Sequence, residues 1–348
     1  MMKISEPEII FSVQGSVGVI TLNRPQAMNA LTFDMVRQMD KMLVVWAKDP
    51  AIKAVIITGA GDRAFCAGGD IKAVALAKGD GSIVRDFFRE EYTMNHRIFT
   101  FPKPYISLIN GIVMGGGKGV SAHGSHRIVT ENALFAMPEA NIGFFPDVGG
   151  GYFLPRCPGQ TGTYLALTCK RIKTVDTLYV GFATHFVPAV KLAQLRDEII
   201  KDPQDIDMLL KKYSDTPPGI SELAPYRETM DRCFAHHHVE EILNALEKDA
   251  SAWATDTLQM MAALSPSSLK IALRQIRLGA TMNFAEVMAM EYRLSQACLA
   301  RHDFYEGVRA ALIDKDRQPK WLPPTVGAVS DADIESCFQS LGSQDLVL

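Results

Sequence analysis

Short β-branched runs alternate with helical stripes along the first half of the chain. Ile9-Ile10-Phe11-Ser12-Val13 and Val17-Gly18-Val19-Ile20-Thr21-Leu22, split by Gly15, predict a β-hairpin. Behind Thr32, a good N-cap, Met35, Val36, Met39, Met42, Leu43 and Trp46 recur at helical spacing, which predicts an amphipathic helix. Lys53-Ala54-Val55-Ile56-Ile57-Thr58, closing at Gly59, reads as a buried strand. Tyr105-Ile106-Ser107-Leu108-Ile109, after Lys103-Pro104, reads as the next one. This strand–helix–strand alternation predicts an α/β layer. From about Val190 polar and helix-forming residues dominate, with Thr216-Pro217-Pro218-Gly219 as the clearest linker. Helices are expected over 239–254, 266–276 and 284–300, so the chain divides into a core over 1–210 and a helical C-terminal region over 211–348.

Composition narrows the function classes. With 348 residues, 47% hydrophobic and 22% charged, the chain can bury a sizeable core without a metal or disulfide staple. Its 36 Lys+Arg against 39 Asp+Glu give a formal charge of −3, which supplies no general attraction to nucleic acid. Cys66, Cys157, Cys169, Cys233, Cys298 and Cys337 form no C-x-x-C pair, so neither a zinc site nor a thioredoxin motif is indicated, and scattered thiols suit a reducing compartment. The longest apolar runs fall far short of a membrane span. The opening residues lead almost directly into a strand, leaving no room for a signal or transit peptide, so entry into an organelle would require a segment that this chain lacks.

Glycine clusters mark the candidate chemistry: Ala67-Gly68-Gly69-Asp70, Gly115-Gly116-Gly117 and Gly149-Gly150-Gly151. Glycine lets backbone approach a ligand closely, and two N–H groups from separate loops, one at a helix N-terminus, are what an oxyanion hole requires. The second cluster precedes the helix-like Val120-Ser121-Ala122-His123. Gly59-Ala60-Gly61-Asp62-Arg63-Ala64 matches a dinucleotide fingerprint in letters, but Phe65-Cys66-Ala67-Gly68-Gly69 follows it where a helix should open. Three carboxylates stand beside the clusters. Glu139 ends Ala133-Leu134-Phe135-Ala136-Met137-Pro138 among apolar residues, Asp147 lies eight positions on, and Glu91 sits in a helical stretch with Glu90. A carboxylate in the apolar company of Glu139 is expected to be partly buried and fit for acid/base or nucleophilic work.

These segments carry a family resemblance. Ala64-Phe65-Cys66-Ala67-Gly68-Gly69-Asp70-Ile71-Lys72 and Asn110-Gly111-Ile112-Val113-Met114-Gly115-Gly116-Gly117 resemble the two oxyanion segments of the crotonase (enoyl-CoA hydratase/isomerase) superfamily. Phe135-Ala136-Met137-Pro138-Glu139, with Ile142-Gly143-Phe144-Phe145-Pro146-Asp147-Val148-Gly149-Gly150-Gly151, resembles the branch that hydrolyses 3-hydroxyisobutyryl-CoA in valine breakdown. The C-terminal Glu291-Tyr292-Arg293-Leu294-Ser295-Gln296 and His302-Asp303-Phe304-Tyr305-Glu306-Gly307 resemble the same branch. The resemblance implies a crotonase fold, a spiral of ββα turns with a helical C-terminal region. It places the thioester carbonyl at the N–H groups of Gly69 and Gly116, and lines CoA with Met28, Asn29, Ala30, Ala67 and Ile71. Glu139 becomes nucleophile or general base, Asp147 the ligand of the substrate hydroxyl, and Glu91 an orienting group at the acyl end. Gly119 stands where hydratases carry the first of their two carboxylates, a departure that disfavours hydration. CoA belongs to the substrate, so no cofactor and no metal are expected. 3-Hydroxypropionyl-CoA, one methyl smaller, is a second expected substrate.

Other readings stay open beside this one. A hydratase or isomerase would need an unsaturated substrate; a non-catalytic, ribosome-associated homologue would have damaged chemistry. His236-His237-His238 reads as a solvated helix face rather than a metal site, and His123 and His126 as structural. Ser121 reads as a packing residue inside a helix, and no G-x-S-x-G elbow is present. Acyl-CoA is the expected partner, with neither nucleic acid nor membrane. Superfamily members form trimers or paired trimers, and the extended C-terminal region would cover the surface used for that, which leaves homo-oligomerisation open. The compartment implied is the mitochondrial matrix in a eukaryote and otherwise the cytoplasm.

Overall fold

The computed structural model describes residues 6–77 and 81–348, the side chains of 81–84 excepted. Residues 1–5, on which the expectation about a leader segment bears, lie outside the described residues. The chain divides into two compact units, each assembled from separate stretches of sequence.

The first unit comprises residues 1–70, 97–135 and 172–221. The expected hairpin forms from β1 (Ile9–Gln14) and β2 (Val17–Leu22), paired antiparallel from Ile9 with Leu22 to Gln14 with Val17. Beyond it β3 (Ala54–Gly59), β5 (Tyr105–Ile109), β7 (His126–Val129) and β10 (His185–Phe186) add in parallel, giving a six-stranded sheet in the order β1-β2-β3-β5-β7-β10. A second sheet takes β4 (Ala64–Cys66), β6 (Ile112–Met114), β8 (Leu134–Ala136) and β9 (Ile172–Lys173) in that order. The chain alternates between them: β3 is followed by β4, β5 by β6 and β7 by β8, one strand of each sheet per turn of a spiral.

Packing follows from strand alternation. Val17, Val19, Ala54, Ile56, Ile106, Leu108 and Ile128 share one buried face with Leu195 and Ile199 of the helix Ala189–Lys201 and Leu210 of the helix Ile206–Tyr213. Each such aliphatic side chain, fully buried, stabilises the fold by about 1.5–3 kcal/mol. The helix Phe33–Lys48 buries Met35, Val36, Met39, Leu43 and Trp46. Thr32 caps it as expected, its Oγ1 accepting the Met35 N–H at 3.3 Å.

The second unit comprises 71–96, 136–171 and 222–348 and is dominated by helices. The helix expected over 239–254 is two, Val239–Asp249 and Ala252–Ala262. Ala250 turns left-handed at φ 54, and the Ser251 hydroxyl accepts the Ala254 N–H at 3.2 Å to start the second helix. His236, His237 and His238 lie ahead of the helix rather than on it, with His238 at its N-cap position. The helices Pro266–Gly279 and Phe284–Leu299 match their expected positions closely. Among the described residues, no helix is long and apolar enough to cross a membrane.

Candidate active site

In the first unit the two glycine loops leave adjacent parallel strands, Ala64 pairing with Ile112 and Cys66 with Val113. The loops then run in close contact. A Cβ on Gly117 would lie 2.2 Å from the Cys66 carbonyl oxygen, so only glycine fits. Gly68 has φ +119, and a Cβ there would lie 3.7 Å from the Gly116 nitrogen. The first loop is also zipped to the segment before the 33–48 helix. Leu31 N–H donates to the Gly68 carbonyl at 2.8 Å, Asp70 N–H to the Leu31 carbonyl at 2.8 Å, and Ala67 N–H to the Met28 carbonyl at 3.0 Å.

Asn29 holds that segment from within. Wholly buried, it accepts the Arg24 N–H on Oδ1 at 2.9 Å and donates from Nδ2 to the carbonyls of Ala60 and Ala64, both at 2.9 Å. Arg24 adds a bond to the Ala30 carbonyl at 2.7 Å and an ion pair with Asp70 at 3.2 Å. Met28 and Ala30 on that segment, Ala67 and Gly69 on the first loop and Gly116 on the second thus lie on three adjoining stretches, with Gly116 buried and the other four partly exposed. The helix at the second loop spans only Gly116–Gly119. Ser121 therefore lies in the turn after it, not inside a helix, because its hydroxyl folds back to the Gly117 carbonyl at 2.7 Å and competes with the backbone ladder.

The carboxylates belong to the second unit, as does Ile71, half-buried at the start of the helix Ile71–Leu76. Glu91 and Tyr92 lie on the helix Gly81–Phe99, 2% and 0% exposed. The Tyr92 hydroxyl donates to Asp147 Oδ2 at 2.8 Å. Burial, and next the negative charge of Asp147, push the Glu91 carboxyl well above the usual carboxylate range. Burial likewise raises the Tyr92 phenol, helped by Asp147, Glu291 and Glu91. Three acidic side chains thus act on one buried tyrosine.

Glu139 opens a turn of 3₁₀ helix, Glu139–Ile142, and is 6% exposed, as its apolar neighbours implied. Its charge, after burial, helps push the Cys169 thiol up to about 12. The C-terminal helices brace this turn: Ser265 N–H donates to the Ala140 carbonyl at 3.2 Å, and the Ser265 hydroxyl donates to Asp303 at 2.6 Å.

Several residues here escape sequence reasoning. Tyr92 was one aromatic among many on a helix, and nothing local marks its bond to Asp147. Asn95, one turn further on, is wholly buried, and its amide atoms have no hydrogen-bond partner among the described residues. Lys118 is wholly buried between two glycines. A buried amide left unsatisfied, as in Asn95, costs about 1–3 kcal/mol.

Similarity to known proteins identifies the family. A family model described as enoyl-CoA hydratase/isomerase matches residues 17–338. The chain is 51% identical to 3-hydroxyisobutyryl-CoA hydrolase, mitochondrial, of Danio rerio over 98% of this chain and 92% of that protein. It is 48% identical to the Homo sapiens protein of the same name over 97% and 90%. Among solved structures it is similar to a carnitinyl-CoA dehydratase from Mycobacterium thermoresistibile, with TM-score 0.93 and 40% identity over 98% of this chain and 99% of that one. An enoyl-CoA hydratase from Rhodobacter sphaeroides superposes with TM-score 0.92 and 37% identity, covering 98% and 100%.

Proposed function

The chain belongs to the enoyl-CoA hydratase/isomerase family, and we propose that it hydrolyses the thioester of 3-hydroxyisobutyryl-CoA, releasing CoA and the hydroxy acid needed for valine breakdown. One observation carries hydrolysis over hydration. Gly119, at the position of the first hydratase carboxylate, is a buried glycine without a side chain to polarise water, while Glu139 and Asp147 are both buried acids.

In this reading the N–H groups of Gly69 and Gly116 bind the carbonyl oxygen as it gains charge, each such donor being worth roughly 10²–10³ in rate. Glu139 acts in one of two ways. Its carboxylate adds to the carbonyl carbon, the C–S bond breaks, and water then cleaves the mixed anhydride. Alternatively it takes a proton from water, which adds directly, and the departing thiolate receives that proton. Asp147 accepts the hydrogen bond of the substrate hydroxyl, and Glu91, which holds its proton to higher pH than an ordinary carboxyl, donates at the acyl end. Met28, Ala30, Ala67 and Ile71 line the CoA moiety, while the Asn29 side chain shapes their loop through its bonds to Arg24, Ala60 and Ala64. 3-Hydroxypropionyl-CoA is accepted with a modest loss, since one methyl changes discrimination by about 1–3 kcal/mol. The named relatives are mitochondrial, and the mitochondrial matrix is the compartment proposed for a eukaryotic source.

The test is thiol trapping during turnover of 3-hydroxyisobutyryl-CoA, with hydration of crotonyl-CoA followed in parallel. Thiol release without hydration is expected. No thiol release, or hydration as the faster reaction, overturns the proposal. A single turnover in oxygen-18 water separates the two routes: label on Glu139 identifies the anhydride, and unlabelled Glu139 with fully labelled product favours direct attack by water.

A further inference from the structure

The loop that carries Asp147 is held in a shape its own residues resist. Val148 has φ 48, and a β-branched residue in the left-handed region is strained. Gly149 continues the turn at φ 84. Such a conformation persists only where surrounding groups over-determine it. Here they come from the C-terminal helices. Glu291, wholly buried on the helix Phe284–Leu299, accepts the N–H of Gly149 on one oxygen at 2.7 Å and that of Gly151 on the other at 2.8 Å. Gln275, wholly buried on the helix Pro266–Gly279, donates from Nε2 to Glu291 Oε1 at 2.9 Å and to the Pro146 carbonyl at 2.8 Å. The backbone is therefore gripped on both sides of Asp147. Both carboxylate oxygens of Glu291 bind this loop, which leaves the residue suited to holding it rather than to proton transfer.

We infer that Glu291 is a positioning residue for the reaction: through the amides of Gly149 and Gly151, with Gln275 holding Pro146, it fixes the direction of the Asp147 side chain. This rests on the reading of Asp147 as ligand of the substrate hydroxyl. Glu291→Gln keeps the shape of the side chain but turns an NH₂ group toward one of the two amide donors. Misplacement of a reacting group by about 1 Å costs roughly 10²-fold, so kcat for 3-hydroxyisobutyryl-CoA is expected to fall about 100-fold, with KM changed less than about 3-fold. Glycine adopts the left-handed conformation without a clamp, so adding Val148→Gly to Glu291→Gln should restore kcat by about 10-fold or more. A merely structural loss would not respond to that second change.

Hydrogen–deuterium exchange supplies a readout independent of turnover. Peptides covering 145–153 should exchange faster in Glu291→Gln while the rest of the chain keeps its protection. If Glu291→Gln does not fold, Gln275→Met carries the test, with the same kcat-only loss, about 10-fold. A kcat within about 3-fold of wild type, or no rescue by Val148→Gly, overturns the inference. If the wild-type enzyme releases no thiol, the proposed function fails, and the clamp is then judged on exchange alone: unchanged protection of 145–153 in both variants overturns it, and faster exchange upholds it.

Discussion

Gly117→Ala tests whether the two glycine loops work as one device. The new Cβ would lie 2.2 Å from the Cys66 carbonyl oxygen and 3.0 Å from both the carbonyl carbon and the Cβ of Cys66. Real Cβ atoms essentially never come within 3.0 Å of such a neighbour, so one loop must retreat by at least about 0.8 Å, the difference between 3.0 and 2.2 Å. The obstacle is main chain, which cannot swing aside as a side chain would. The retreat moves the 114–117 loop away from the 66–69 loop, and the N–H groups of Gly116 and Gly69 with them. Forced overpacking costs about 1–3 kcal/mol of stability. A displacement near 1 Å, or loss of one oxyanion donor, lowers kcat roughly 10²-fold or more. Gly327→Ala, where a Cβ meets nothing within 4 Å, is the control and should change neither quantity. Thiol release and thermal unfolding measured on both variants decide the matter. If Gly117→Ala keeps kcat within about 3-fold of wild type while folded, the convergent-amide reasoning is refuted.

Three further outcomes are expected. Tyr92→Phe removes a hydroxyl bond to the buried Asp147 carboxylate, a class of bond worth about 1.5–3 kcal/mol, and steady-state kinetics should show kcat reduced about 10-fold; an unchanged rate would remove Tyr92 from the site. Glu139→Gln should abolish thiol release, by roughly 10³-fold or more, with binding of the product CoA retained in calorimetry. Glu91→Gln should stabilise the protein more as pH rises. The folded carboxyl keeps its proton above the ordinary 4.5 because of burial and then Asp147. The unfolded chain ionises first, so this group subtracts stability as pH climbs from there toward its folded value. The melting temperature of Glu91→Gln minus wild type should therefore widen between pH 4 and 8, and a constant gap would contradict the assignment.

What was legible in the sequence was local. The hairpin at Gly15 and the Thr32 cap each rest on residues a few positions apart, and both form. The burial of Glu139 followed from its apolar neighbours. Where neighbours mislead, the reading failed. Ala250, a strong helix former, takes a left-handed turn because Ser251 starts a new helix behind it. The glycine-rich 115–119 stretch supports only one helical turn before Ser121 bonds back onto it. The Glu291 clamp was out of reach altogether: its partner amides lie 142 and 140 positions away, and no periodicity links them.

The acids around Tyr92 explain why so costly a cluster is kept. Like charges buried together oppose folding, and each is relieved differently here. Glu291 is relieved by donors, the N–H groups of Gly149 and Gly151 and the Gln275 amide, which suits a charge that stays fixed while chemistry proceeds. Asp147 receives the hydroxyl of Tyr92, a donor on the helix Gly81–Phe99. Glu91 is relieved by gripping its proton more tightly than an ordinary carboxyl, through burial and then the charge of Asp147. A hydroxyl group both donates and accepts, so on the proposed reading Asp147 as acceptor and Glu91 as donor would together recognise the substrate hydroxyl. In that reading an acyl chain without the hydroxyl loses a hydrogen-bonding group at a buried site, and the discrimination against it should far exceed that for a missing methyl, by the same reasoning that makes a lost hydrogen-bonding group cost 10⁴–10⁵ and a methylene only about 10–200. Butyryl-CoA compared with 3-hydroxybutyryl-CoA isolates that single oxygen, and equal kcat/KM for the two would dissolve the link between the acidic cluster and the substrate.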